Sequence, residues 1–243
     1  MTRHFHDELA DLSKKVLHMG GLVEATVDRS LEALLDRNAE AAREVIDGDV
    51  VIDERELELE EKCLDLLALQ QPVARDLRYI AGVLKINSDL ERMADLAVNI
   101  AERAEVLSQV PPLPFRPDVS RMAAVVKQMV REGLDALVHR DPQKALRVWS
   151  RDDEADRLYR EILGEAIQFM RENPDRLGDT LHLTGALRNL ERIADHATNI
   201  AEDVIFMVEG RIVRHHVLDF KNRRAAGGGL PPESDGPPDP SRE

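Results

Sequence analysis

A motif of thirteen residues occurs twice in this chain, and its two copies stand 100 positions apart. Leu90–Glu102 reads LERMADLAVNIAE and Leu190–Glu202 reads LERIADHATNIAE, so ten of the thirteen positions are identical. Chance does not produce this level of identity over such a length, which indicates an internal duplication. The sequence therefore predicts two similar halves joined in tandem.

The prolines show where helices cannot continue, because a proline inside a helix costs about 3 kcal/mol. Three prolines stand alone, at Pro72, Pro142 and Pro174, and the others cluster between residues 111 and 117 and after residue 230. Between these breaks apolar residues recur every three or four positions, which is the spacing of an amphipathic helix. We predict six helices, the first through Leu9–Leu34 and the others over about residues 38–70, 74–107, 119–139, 141–173 and 179–209.

The composition supports an all-α fold, since only 13 glycines and 3% aromatic residues are few for a β-rich chain. We predict two pseudo-symmetric three-helix bundles at residues 1–110 and 118–220, joined by a proline-rich linker at 111–117. The inward face of the third helix is expected to include Leu77. Residues 221–243 are expected to be a disordered tail, because four glycines and five prolines leave too little apolar surface to offset the ordering entropy.

Charge and cysteine content limit the partners and the compartment. A net charge of −14 argues against a nucleic-acid partner, since phosphate would be repelled. The only cysteine, Cys63, excludes an intrachain disulfide and a cysteine-based zinc site, and it is expected to lie in the core. No stretch is long and apolar enough to span a membrane and no signal peptide is evident, so a soluble cytoplasmic protein is expected.

Each half carries two pairs of acidic residues spaced four positions apart, one pair in its second helix and one in its third. Residues at this spacing share a helix face, with Cβ atoms about 5–6 Å apart. Roughly nine such pairs are expected by chance from 47 acidic residues, so what matters is that the pairs recur at equivalent places in both halves. The eight residues are Asp49, Asp53, Glu91, Asp95, Asp152, Asp156, Glu191 and Asp195.

Two interpretations of these pairs stay open at this point. Carboxylate oxygens suit hard cations such as Mg²⁺, Mn²⁺ or Fe²⁺, and two facing acidic rows would make such a site. Alternatively, the acids are surface charges that pair with Arg92, Arg192 or Lys85. A ferritin-like di-iron centre fits poorly, because no histidine stands three residues after a glutamate. No catalytic motif stands out, so an enzyme is not expected.

Beyond these inferences, the chain resembles the PhoU family of bacterial phosphate-uptake regulators. The resemblance is carried by the duplicated acidic pairs, by Pro72–Arg78 (PVARDLR) and by the repeated LER-[MI]-AD-x-A-x-NIAE, and it extends to about Phe220. One departure is that Leu177–Gly185 lacks a clear counterpart of Pro72–Arg78, which would allow the two halves to bind different partners.

The resemblance implies a cytoplasmic, non-enzymatic negative regulator of the phosphate-starvation response. Such a protein would act as an adaptor between the ATPase of the phosphate ABC transporter and a sensor histidine kinase, which it keeps silent when phosphate is plentiful. The resemblance also implies divalent or trivalent metal ions (Fe, Mn, Mg or Zn) bound by the eight carboxylates, with Asn99, Asn199, Glu102 and Glu202 as weaker candidates. A metal-dependent hydrolase or oxidase and a metal-buffering bundle are the alternatives, and a homodimer is among the open oligomeric states.

Overall fold

The computed structural model describes residues 3–113, 118–211 and 213, and the described chain is almost entirely helical. It contains six long helices and one short 3₁₀ turn, Pro174–Arg176, within those residues. The helices are α1 (Arg3–Asp36), α2 (Ala39–Gln70), α3 (Ala74–Ser108), α4 (Val119–His139), α5 (Pro142–Glu172) and α6 (Leu177–Glu209).

The ends of the helices follow local signals in the sequence. The side chain of Asn38 caps α2 by accepting hydrogen bonds from the backbone N–H groups of Glu40 and Ala41, both at 3.1 Å. Asp141 caps α5 in the same way, with Pro142 in the first turn. At the other end of the fold, Gly210 stops α6 with a φ of 71°, the left-handed conformation that glycine adopts without strain.

The predicted start of the last helix differs from the structure. The last helix begins at Leu177 and not at Asp179, because the 3₁₀ turn runs directly into it. The Arg176 guanidinium donates to the Asp179 carboxylate at 2.7 Å, and the Thr180 hydroxyl donates to the Arg176 carbonyl at 2.9 Å. These two bonds join the 3₁₀ turn to the first turn of α6.

The six helices form two three-helix bundles, which confirms the predicted fold class. α1, α2 and α3 pack against one another, and so do α4, α5 and α6. In each half the second helix buries apolar side chains at matching positions 103 residues apart: Val45, Ile52, Leu59, Cys63 and Leu66 on α2 correspond to Val148, Ala155, Ile162, Ala166 and Phe169 on α5. Cys63 lies in this core, as expected from its position.

The two helices that carry the repeated motif, α3 and α6, pack closely against each other across the halves. Lys85 contacts Asp203 and Asp89 contacts Asn199, so residue numbers rise along one helix as they fall along the other, and the pair is antiparallel. Equivalent positions of the two motif copies are 100 residues apart. Because the two helices that carry the copies are antiparallel, exchanging α3 and α6 leaves the arrangement nearly unchanged, and the fold has pseudo-two-fold symmetry.

The inward position predicted for Leu77 is wrong, because its side chain is exposed. Leu77 lies in the first turn of α3, where the neighbouring Val73 is also exposed. This end of the helix extends beyond the packed part of the bundle, so helical periodicity alone overestimated the buried length.

The predicted domain limits at residues 110 and 118 stay predictions. The predicted tail at 221–243 and most of the linker lie outside the described residues. None of the described helices combines the length and hydropathy needed to cross a membrane.

Candidate metal centre

In the first bundle the acidic pair of α2 faces the acidic pair of α3. Burial raises the pKa of Asp49, and the negative charges of Asp53 and Asp95 raise it further. Burial likewise raises the pKa of Glu91, with further contributions from Asp95, Glu56 and Asp53 against the opposing charge of Arg92. These mutual effects show that the structure brings the four predicted carboxylates within electrostatic reach of one another.

The second bundle repeats the arrangement with α5 and α6. The pKa of Glu191 is raised by desolvation and then by the charges of Asp156 and Asp152, with Arg188 and Arg192 opposing. The pKa of Asp195 is raised by desolvation and then by Glu191 and Asp156. Both halves therefore concentrate negative charge between their second and third helices, as predicted from the acidic pairs that recur at equivalent places in the two halves.

The two halves differ in the hydrogen bonding of the first aspartate of the acidic pair in the second helix. Asp49 Oδ1 is buried and has no hydrogen-bond partner among the described residues. Its counterpart Asp152 accepts from the hydroxyl of Thr198 at 3.5 Å. The first half has Val98 at the position of Thr198, and valine has no donor. An unsatisfied buried oxygen of this kind costs about 1–3 kcal/mol, which a bound cation would offset.

Some of the acids do pair with arginines, as the surface-charge interpretation expects. Arg92 lies 3.5 Å from Glu91 and 3.7 Å from Asp95, and Arg160 lies 2.9 Å from Asp156. Both arginines are well exposed, and pairs of this kind contribute about 0–1 kcal/mol. These pairs neutralise part of the charge in each half and leave Asp49 without a salt bridge in the described part of the chain.

The two motif asparagines make different contacts. Asn99 donates from its side-chain amide to the backbone carbonyl of Asp95 at 2.7 Å, within its own helix. Asn199 donates to Asp89 of the other half at 3.1 Å, beside His196, whose Nδ1 lies 2.8 Å from the same oxygen. Identical motif residues thus have an intrahelical role in one half and a bridging role in the other.

Sequence analysis missed one acid of the first cluster, Glu56. The pKa of Glu56 is raised by burial and by the charges of Glu60 and Asp53, and its own charge in turn raises the pKa of Glu91. Asn87 donates to the Glu56 backbone carbonyl at 2.9 Å. Glu56 stands three residues after Asp53, a spacing that places both side chains on the same face of α2. The equivalent position in the second half is Tyr159, so comparison of the two halves did not indicate Glu56.

The residues present fit a cation in their chemistry. The donors are carboxylates, the preferred ligands of hard cations, and Asp49 offers a buried oxygen with a free lone pair. Within the described ranges, however, no three His, Cys, Asp or Glu side chains converge on one point. The eight ligands therefore stay a prediction.

Comparison with known proteins decides the family. The model of the PhoU domain matches the chain twice, at residues 16–104 and 119–204, which together make up most of its length. The chain belongs to the PhoU family. Two PhoU relatives are each named phosphate-specific transport system accessory protein PhoU homolog. The one from Aquifex aeolicus is 42% identical over 88% of this chain and 97% of its own length, and the one from Pseudomonas aeruginosa is 40% identical over 88% and 89%.

Solved PhoU structures have the same fold. The crystal structure of PhoU from Pseudomonas aeruginosa superposes with a TM-score of 0.83 at 40% identity, covering 85% of this chain and all of that one. The structure of the phosphate transport system regulatory protein PhoU from Streptococcus pneumoniae gives a TM-score of 0.78 at 28% identity, over 86% and 99% of the two chains. The PhoU resemblance found in the sequence is therefore confirmed.

Proposed function

We propose that this protein is an accessory regulator of phosphate transport. The observation that carries the proposal is the double PhoU-domain match together with relatives named as accessory proteins of the phosphate-specific transport system over nearly their whole length. In the finer form of the proposal, the protein is a cytoplasmic, non-enzymatic adaptor. It contacts the ATPase of the phosphate ABC transporter and a sensor histidine kinase, and it keeps the kinase silent when phosphate is plentiful.

We also propose that each acidic cluster holds metal ions. Asp49, Asp53, Glu91 and Asp95 would hold them in the first half, and Asp152, Asp156, Glu191 and Asp195 in the second. The raised pKa values of Asp49 and Glu91 support this, because burial and then the neighbouring negative charges disfavour the charged carboxylates, and a bound cation would favour them. A bound ion would supply positive charge between two helices and so fix their relative position. Iron, manganese, magnesium and zinc are the candidate metals.

Binding of purified components tests the adaptor role. The protein is mixed with the transporter ATPase and, separately, with the cytoplasmic part of the kinase, each in Mn²⁺ and in chelator, and the complexes are separated by size-exclusion chromatography. We expect both partners to co-elute with the protein. Failure of both to bind in either condition would contradict the adaptor role.

The metal proposal has its own test. Elemental analysis of protein purified without chelator is expected to find a transition metal or Mg²⁺ bound in stoichiometric amount. The matched variant is Asp49→Asn with Asp95→Asn. It removes two predicted ligands of the first half and leaves those of the second half in place, so the total metal content is expected to fall without being lost. Equal metal content in the variant and the parent protein would contradict the assignment of these ligands.

A further inference from the structure

The outer face of α2 carries a line of exposed aliphatic side chains. Val50, Leu57 and Leu64 are 58%, 62% and 52% exposed. They are spaced by seven residues, so they lie along one side of the helix, opposite the buried residues such as Ile52 and Leu59. A single exposed leucine needs no explanation, but three in heptad register form a continuous apolar stripe like the contact seam of a coiled coil.

The stripe is bordered by acidic residues. Glu54 and Glu61 stand four residues after Val50 and Leu57, so they lie beside them on the same outer face. Both are exposed, and neither forms an ion pair with a basic residue in the described part of the chain. α2 as a whole has eleven acidic and three basic residues, a net charge of −8. Any protein that covers the stripe must therefore approach a strongly negative surface.

The second bundle shows that the fold does not require this stripe. With the offset of 103 residues that matches the buried positions of α2 and α5, the equivalents of the stripe residues are Asp153, Arg160 and Ile167. α5 carries seven acidic and six basic residues, a net charge of −1. The two helices have the same buried face in the same architecture, yet only α2 presents an apolar and acidic outer face.

We propose that the outer face of α2 is a docking surface for a basic amphipathic helix of a partner protein. The apolar side of that helix would pack against Val50, Leu57 and Leu64, and its flanking lysines and arginines would pair with Glu54 and Glu61. Charge complementarity selects this occupant. The α2 of a second copy carries the same −8 and would be repelled, and so would an anionic membrane surface.

The inference deepens the proposed adaptor function, because it assigns one partner contact to the first bundle alone. It does not depend on which protein supplies the helix. The probe is a synthetic helical peptide of about three heptads, with leucine and isoleucine at the seam positions and lysine at the flanking positions. A second peptide has glutamate in place of each lysine. Fluorescence anisotropy measures their binding to the full-length protein.

We expect the lysine peptide to bind and the glutamate peptide to show at least about tenfold weaker affinity. The decisive variant is Leu57→Ser with Leu64→Ser, which leaves every charge in place and so separates docking on the stripe from non-specific attraction to an acidic protein. This variant is expected to lose about tenfold or more in affinity for the lysine peptide, since an amphipathic helix is held through its apolar face. The matched control, Ile167→Ser on α5, is expected to bind like the parent protein.

Each of the following results would overturn the proposal. One is equal affinity of the lysine peptide for the parent protein and the Leu57→Ser, Leu64→Ser variant. Another is self-association in sedimentation that the same variant abolishes, because the occupant would then be a second copy. The third is binding to phosphatidylglycerol vesicles that the variant loses. If peptide binding fails while the transporter ATPase and kinase still co-elute with the protein, the docking surface is wrong and the adaptor function stands.

Discussion

Lys85 of α3 lies 3.3 Å from the carboxylate of Asp203 on α6, and this ion pair joins the two halves of the duplicated chain. Asp203 is only 2% exposed, whereas the lysine side chain is 44% exposed. The Lys85 ammonium also lies 4.9 Å from the centre of the Phe206 ring. With the offset of 100 residues, Lys85 corresponds to Gly185 and Asp203 corresponds to Arg103. The equivalent pair therefore cannot form the same ion pair, and the two halves have diverged at this position.

The variant Lys85→Met is expected to destabilise the protein, because it leaves the Asp203 carboxylate buried without this counter-charge. Asp203 keeps other interactions, so we expect a loss of about 1–3 kcal/mol in the free energy of unfolding. Urea denaturation measures it. The matched control is Lys127→Met, which breaks an exposed pair with Asp28 and should change stability by less than about 1 kcal/mol. Equal effects of the two variants would contradict the special role of the buried carboxylate.

Gly82→Ala is expected to disturb the packing of α3 against α6. A Cβ atom at residue 82 would collide with Cγ of Met207 and lie 2.5 Å from its Sδ, and Met207 is buried. Overpacking of this kind costs about 1–3 kcal/mol, more than the gain of up to about 1 kcal/mol from helix propensity. Gly21→Ala is the control, since nothing lies within 4 Å of its added Cβ and the variant should be stabilised. Thermal melting of both variants checks the opposite signs.

The Asp49→Asn variant separates a metal site from ordinary surface charge. In chelator the change removes repulsion from Asp53 and Asp95, so the melting temperature is expected to stay equal or rise slightly. In Mn²⁺ the parent protein is expected to gain stability, about 2.7 kcal/mol at a hundredfold excess over Kd, and the variant is expected to gain less. Asp47→Asn, an exposed acid on the same helix, serves as the control. A metal-dependent gain that is the same in all three proteins would place the ion elsewhere.

Cys63 is expected to be unreactive in the folded protein. Its side chain is fully buried, and burial raises the pKa of its thiol to about 12. Iodoacetamide at about pH 8 should therefore label the protein only after urea unfolds it, since the thiolate is the reactive form. Rapid labelling of the native protein would mean that the core around Cys63 opens easily.

The same raised pKa predicts how stability changes at high pH. The folded thiol stays protonated while the unfolded thiol ionises above about 8.5, so the unfolded state loses protons first. The contribution of Cys63 to stability is complete below that value and falls as the pH rises towards about 12. The stability difference between the parent protein and Cys63→Ala should therefore shrink by up to about 1.4 kcal/mol per pH unit in this window. A difference that is independent of pH would contradict the assignment.

The helices and the repeat could be predicted because their signals are local. Pro72, Pro142 and Pro174 interrupt the helical pattern, and Asn38 and Asp141 accept hydrogen bonds from the first amides of the next helix. The acidic pairs were also found, because two carboxylates four residues apart share a face whatever the helix packs against. Glu56 was missed because it belongs to the first half alone, and comparison of the halves reveals only what they share.

By itself, then, the sequence determined six helices, two equivalent bundles and the place of the acidic pairs in each. Only the tertiary structure decided which side chains meet across the halves and which faces stay open. Asn99 and Asn199 occupy the same motif position, yet the first bonds to its own helix and the second to Asp89 of the other half. The physical reason is that helix periodicity is set by backbone hydrogen bonds within one segment. The partner of each face is set by packing between helices that are distant in the chain, and no local pattern encodes that packing.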